Sequence, residues 1–219
     1  MKLKGAIFDL DGTLVDSMYI WDWVPGALIR KLGGNPPEDL AQALTKLSRE
    51  EAAKYLIDRF HLTQTPEEIL QEVNNLVSGE YRDKVPMKPG AQTLLEHLAR
   101  RGIPCGIATA SEAFQAQEAM ERLGLWHHFK FAISCGEYGS KSRPDIYLEA
   151  ARRLGGEPGE ILVFEDAPHA ARTARDAGFQ VAGVYDLSAH EEQEELKRLC
   201  RWYLPQLDDP SFLQELQDA

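Results

Sequence analysis

The stretch Ala6-Ile7-Phe8-Asp9-Leu10-Asp11-Gly12-Thr13-Leu14-Val15-Asp16-Ser17 decides the fold. Gly5 to Phe8 is apolar throughout, the pattern of a short strand covered on both faces. Two carboxylates, Asp9 and Asp11, follow at once, and a Gly-Thr turn comes next. A carboxylate beside a buried strand is costly unless a charge or hydrogen bonds compensate it. These two acids therefore ask for a partner elsewhere in the chain.

Similar short runs recur downstream: Ile103 to Ala108, Phe129 to Ile133, Ile161 to Phe164 and Val181 to Val184. Helical stretches separate them. Pro89 to Arg101 carries Leu94, Leu95 and Leu98 at helical spacing, and Phe114 to Leu123, Pro144 to Leu154 and Ala167 to Ala177 follow the same rule. Each ends near a glycine. Alternation of buried strands with helices predicts an α/β protein: a Rossmann-like, three-layer core with a parallel sheet.

Ser17 to Val85 breaks the alternation and reads as helices only. Asn35-Pro36-Pro37-Glu38 offers a cap with Pro at the first helical position, and Ser48-Arg49-Glu50-Glu51 and Thr65-Pro66-Glu67-Glu68 have the form of capping boxes. The predicted organisation is a core of residues 1–16 and 86–219 interrupted by an all-helical cap over 17–85. Ser188 to Ala219 is acidic and amphipathic, and is predicted to be a helical extension.

A formal net charge of -11 argues against a nucleic-acid footprint. Anionic substrates remain compatible with it, because a bound cation reverses the field of a pocket. The three cysteines, Cys105, Cys135 and Cys200, are scattered and odd in number, which disfavours a disulfide framework or a zinc site. Reduced thiols, no apolar run of spanning length and no room for a signal-peptide core before Asp9 fit a cytoplasmic protein without a membrane partner. The expected state is a monomer.

Ligands of open parallel sheets bind beyond the carboxyl ends of the strands. The first strand ends in Asp9 and Asp11, the second in Thr109-Ala110-Ser111, and the fourth in Glu165-Asp166, while Lys141 follows the third after a loop. Taken singly these are bland: a loop Asp-x-Asp, a helix cap, a solvated lysine, acids opening the next helix. Their order places them on one edge. Clustered carboxylates repel unless a cation sits among them, and oxygen donors suit Mg²⁺. One acid can then attack phosphorus and another can shuttle the proton, with Lys and Thr holding the phosphoryl oxygens.

These motifs resemble those of the haloacid dehalogenase-like hydrolases, in particular the β-phosphoglucomutase-like phosphatase branch with a helical cap after the first strand. The family's DxDGT motif matches Asp9-Leu10-Asp11-Gly12-Thr13, its strand-ending Thr matches Thr109 in GIATAS, its lysine matches Lys141 in SKSRPDIY, and its closing acids match Glu165 and Asp166 in VFEDAPHA. The resemblance implies that Asp9 is nucleophile and Mg²⁺ ligand. It implies that Asp11 is general acid/base, with its carbonyl on the metal. Asp166 and Glu165 would be metal ligands, and Thr109, the Ala110 N–H and Lys141 would hold the phosphoryl group of a small phosphorylated metabolite such as a sugar phosphate. Two departures stand out: Ser142 follows Lys141 where many relatives have Pro, and Pro168-His169-Ala170-Ala171 replaces a Gly-containing turn. His169 reads as a helix-start residue near the pocket rim.

The mutase members of the branch carry a His twelve residues after the nucleophile; here that position is Trp21, which favours hydrolysis over the alternative of a phosphosugar mutase. Tyr19, Trp21 and Trp23 have two readings, filling the cap's own core or, for Tyr19 and Trp21, facing the leaving group. Arg49 either meets an anionic substrate or is a solvated helix start. A dehalogenase would not need Asp11 and the metal-binding acids. The non-enzyme alternative is a phospho-receiver domain, whose acceptor Asp ends a later strand and which has no large insertion.

Overall fold

The computed structural model describes residues 3–44 and 47–218. Its centre is a six-stranded sheet of β1 (Gly5–Phe8), β2 (Cys105–Thr109), β3 (Phe129–Ser134), β4 (Ile161–Glu165), β5 (Gln180–Val184) and β6 (Trp202–Leu204), in the order β3-β2-β1-β4-β5-β6. All neighbours pair in parallel. The strand burial explains the order. Every residue of β1, β2 and β4 is buried, so these strands occupy the middle, whereas β3 and β6 keep partly exposed positions at the edges.

After β1 come α1 (Tyr19–Lys31), α2 (Leu40–Leu44), α3 (Arg49–Phe60) and α4 (Pro66–Asp83); after them, α5 (Ala91–Arg100), α6 (Ala113–Arg122), α7 (Cys135–Tyr138), α8 (Asp145–Leu154), α9 (Pro168–Asp176), α10 (Gln193–Leu199) and α11 (Pro210–Asp218) alternate with the remaining strands. One face of the sheet is a continuous core of Ile7, Ala108, Val163 and Val181 against Tyr147 and Ala150 of α8, Ala171 of α9 and Leu196 of α10. The other face is aromatic. Phe8 stacks on Phe164 with centroids 4.3 Å apart, and Phe164 meets Phe212 of α11 edge-on at 5.9 Å. The helices α5, α6, α8 and α9 end by a shared device, seen at α5: Gly102 takes a positive φ of 68°, which lets Ile103 N–H reach back to Leu98 C=O.

The chain forms two compact units, Met1–Asp16 with Val85–Ala219, and Ser17–Lys84. Val85 is fully buried in the first, and its carbonyl accepts a hydrogen bond from Arg122. The connections leaving and re-entering that unit pair with each other. Val15 and Met87 form an antiparallel bridge, Asp16 N–H donates to Pro86 C=O, and Lys88 N–H donates to Leu14 C=O. Within the helical unit, Leu28 and Ile29 of α1 pack with Leu40, Ala53, Leu56 and Ile69. Both expected capping boxes form, Ser48 with Glu51 and Thr65 with Glu68.

Three expectations need correction. Asn35 and Pro36 do not open a helix; α2 starts at Leu40, whose N–H donates to Pro37 C=O, so the double proline remains an extended lead-in. Tyr19 and Trp23 do not fill the helical core. They are exposed, and Trp21 is half-buried, because α1 turns Ile20, Val24, Leu28 and Ile29 inward. The C-terminal region is not purely helical: α10 and α11 flank β6, which pairs with β5 through Ala182–Trp202, Gly183–Tyr203 and Val184–Leu204. Trp202-Tyr203-Leu204 favours a strand, and Pro205 stops it. Ala219, at the end of the expected extension, lies outside the described residues.

This placement makes Leu204 a core residue. Leu204→Ala is expected to cost about 2–5 kcal/mol in urea unfolding, whereas Leu187→Ala, at a position 73% exposed, stays within about 0.5 kcal/mol of the parent.

Candidate active site

The register of β1 and β4 builds the site. Phe8 lies opposite Phe164, so the next residues, Asp9 and Glu165, emerge side by side at the carboxyl edge. Side chains alternate along a strand. Asp9 and Glu165 therefore share the face of Ile7 and Val163, where α8 packs. This is also the point at which the strand order reverses, the usual crevice of a doubly wound sheet.

Lys141, in the loop between α7 and α8, inserts here. Its Nζ lies 2.6 Å from Asp9 Oδ1 and 2.6 Å from Glu165 Oε1. It is buried, which rules out the solvated-lysine reading. Burial alone would lower its pKa, but the charges of Asp9 and Glu165 outweigh this and raise it above the ordinary lysine value. Asp9 Oδ1 also accepts from Leu10 N–H at 2.7 Å. Tyr147 O–H donates to Glu165 Oε1 at 2.7 Å, and burial raises the phenol well above its ordinary value.

Asp166 takes the next position and is buried too. Thr13 Oγ1 donates to its Oδ1 at 3.1 Å. Gly12 makes this approach possible: its φ is 76°, and a Cβ there would collide with the Asp166 carboxylate. Burial, then the charges of Glu165 and Asp186, push the Asp166 carboxyl up to about 7. Asp186 is itself held below the ordinary range despite its burial, by Lys88 at 2.7 Å and by Ser188. Burial raises Asp9 well above the carboxylate range; Glu165 adds to the rise and Lys141 opposes it.

Asp11 is half-buried beside this cluster, and Ser111 Oγ donates to its Oδ2 at 2.7 Å. Thr109 is fully buried, and its Oγ1 accepts from Ser111 N–H at 2.9 Å. Ala110 is exposed at the end of β2. His169 is exposed as the second residue of α9, where its carbonyl accepts from Thr173 Oγ1. In the helical unit, Tyr19 O–H donates to Glu80 Oε2 at 3.0 Å and the Arg49 guanidinium donates to Asn74 Oδ1.

The residues fit a divalent cation. One carboxylate oxygen each from Asp9, Glu165 and Asp166 lie within 4.8 Å of one another. Glu165 Oε2 is buried with no hydrogen-bond partner, a costly state for a carboxylate oxygen that a metal relieves. An all-oxygen donor set suits a hard ion. Thr13, Ser111 and Tyr147 had not been singled out as site residues. All three lie inside motifs quoted from the sequence, Thr13 in the first, Ser111 in GIATAS and Tyr147 in SKSRPDIY; their contacts appear only when distant segments meet.

This fold and this cluster define a class. Residues 3–178 match the family described as haloacid dehalogenase-like hydrolase, and the chain belongs to that family. Among characterised relatives it is 34% identical over 191 residues to hexitol phosphatase A of Escherichia coli, covering 84% of this chain and 84% of the relative. It is 29% identical over 199 residues to a probable pseudouridine-5'-phosphatase of Drosophila melanogaster, covering 88% and 86%. The crystal structure of β-phosphoglucomutase from Clostridium difficile superposes with a TM-score of 0.80 at 22% identity, over 99% of this chain and 97% of that one, which establishes the shared fold. Among the described residues no helix is long and apolar enough to cross a membrane.

The raised carboxyls fix the sign of a pH effect. Protonated, Asp9 and Asp166 contribute stability that is fully present below the ordinary carboxyl pKa and lost as pH rises, for Asp166 through about 7. A bound cation offsets this loss. Mg²⁺ is expected to raise the melting temperature more at pH 8 than at pH 5.5, with proton release on binding near pH 6.5; calorimetry and thermal melts at the two pH values measure both.

Proposed function

We propose that the chain is a Mg²⁺-dependent phosphatase that hydrolyses a small phosphorylated metabolite, of the sugar or polyol phosphate class, through an aspartyl-phosphate on Asp9. The observation that carries this reading is Lys141 bridging Asp9 and Glu165, with Asp166 in the same buried cluster. Membership of the hydrolase family and similarity to phosphatases of small phosphorylated compounds support it.

Asp9, the Asp11 carbonyl, Asp166 and Glu165 would hold the cation, which supplies charge neutralisation to the phosphoryl oxygens when bound. The Asp9 carboxylate attacks phosphorus, the ester P–O bond breaks, and the leaving alkoxide takes the Asp11 proton. Water then attacks the same phosphorus and gives its proton to Asp11, and the P–O bond to Asp9 breaks. The balance is ester and water in, alcohol and phosphate out. Ser111 orients the Asp11 carboxyl group through its hydroxyl. Lys141 has three N–H donors; with Asp9 and Glu165 taking two, the third serves the phosphoryl group beside Thr109 and the Ala110 N–H. Selection among esters is assigned to Tyr19, Trp21 and Arg49 of the helical unit.

A panel of phosphorylated metabolites, assayed for released phosphate with and without Mg²⁺, tests the reading. Release should require the metal. Free phosphate from a hexose 1-phosphate marks hydrolysis, and hexose 6-phosphate would mark a mutase instead. Asp9→Asn should retain its circular dichroism and lose activity by about three orders of magnitude or more; turnover equal to the parent's would remove Asp9 as nucleophile. Trp21→Ala should reorder preference across the panel, and an unchanged ranking would end its assignment to selection.

A further inference from the structure

Glu165 receives two donors, and both fall on one oxygen. Lys141 Nζ lies 2.6 Å and Tyr147 O–H 2.7 Å from Oε1, while Oε2 is buried with no hydrogen-bond partner. The two donors differ in what they can fix. An ammonium presents three equivalent N–H groups on a flexible stem and can follow either carboxylate oxygen as it turns. Lys141 is also shared with Asp9 Oδ1. A phenol has one O–H, and this one is immobilised. Tyr147 is fully buried, in the cluster of Ile7, Val163 and Phe179, with the Phe179 ring 6.1 Å away. It occupies the first turn of α8, where side chains lean toward the helix N-terminus, the end that follows Lys141.

We propose that Tyr147 is a positioning residue for the metal: by holding Glu165 Oε1, it fixes the rotation of the carboxylate so that Oε2 is presented to the cation. The inference rests on the metal-dependent reading above and adds a residue to it. It assigns the hydroxyl of Tyr147 a role separate from the packing of its ring. Without the hydroxyl, Lys141 is the donor left on Glu165 Oε1, and the carboxylate can turn with it. Partners behind a metal ligand commonly carry about a tenfold or greater share of affinity.

Tyr147→Phe keeps the ring and removes the O–H. Mg²⁺ titrated calorimetrically into the full chain should bind this variant about tenfold more weakly than the parent, and its Mg²⁺-induced rise in melting temperature should shrink in step. Phosphate release should recover toward the parent rate in excess Mg²⁺, with the metal concentration for half-maximal rate moving more than the rate at saturation. A double-mutant cycle with Glu165→Gln identifies the route: once Glu165 is altered, Tyr147→Phe should have little further effect on Mg²⁺ affinity. Equal Mg²⁺ affinity in parent and Tyr147→Phe, or full additivity in the cycle, would overturn the assignment while leaving the metal site in place. A parent that binds no Mg²⁺ would instead remove the metal reading on which the assignment rests.

Discussion

One ammonium group between two buried carboxylates organises this protein. Asp9 and Glu165 emerge from adjacent central strands because Phe8 and Phe164 are paired, and the interior below them is apolar apart from the Tyr147 hydroxyl, which donates to Glu165. Lys141 reaches both. Breaking such a buried pair is costly because it strands a charge. The loop from β3 to α8, which carries Lys141, is thereby tied to the centre of the sheet. Even so, three acids face one lysine; burial first, and then the neighbouring acids, displace Asp9 and Asp166 upward. The cluster is short of positive charge, and its oxygens fit a cation.

The remaining polar contacts make sense as ways of preventing this crowd of oxygens from relaxing. Thr13 holds one oxygen of Asp166, Ser111 one of Asp11, and Tyr147 one of Glu165. Each is a hydroxyl donor on a rigid element or tight turn, and each leaves the other oxygen of its carboxylate to face elsewhere. Gly12 contributes by what it lacks, since a side chain there would occupy the space of the Asp166 carboxylate. Asp186 and Lys88 form a second, neutral pair at the end of β5, close enough for Asp186 to raise Asp166.

Much of this was legible before any coordinates. The strands that lead to Asp9, Thr109 and Glu165 could be read from their apolar runs, because a central parallel strand has a strong signature; β1 matches to the residue, while the run from Ile103 to Ala108 pairs only as Cys105–Thr109. The capping boxes at Ser48 and Thr65 were equally plain, being local hydrogen-bond chemistry. What escaped was non-local or brief. β6 is three residues long, too short for periodicity, and becomes a strand because the edge of β5 offers it partners. Tyr147 closes the SKSRPDIY segment, but nothing in that segment ties its hydroxyl to Glu165. The aromatics of α1 show the limit of composition as a guide: Tyr19 and Trp23 are large and apolar enough for a core, yet the helical phase places them outside it.

The short antiparallel seam joining residues 14–16 to 86–88 has a consequence for how this architecture can vary. Because the strands on either side of the excursion are already stitched together, the length between them is nearly immaterial to the sheet; closing a longer loop adds entropy only logarithmically. The segment behaves as a cassette. By that scaling, a graft of different size or a simple turn in its place leaves the scaffold its threading and the clustered acids their positions.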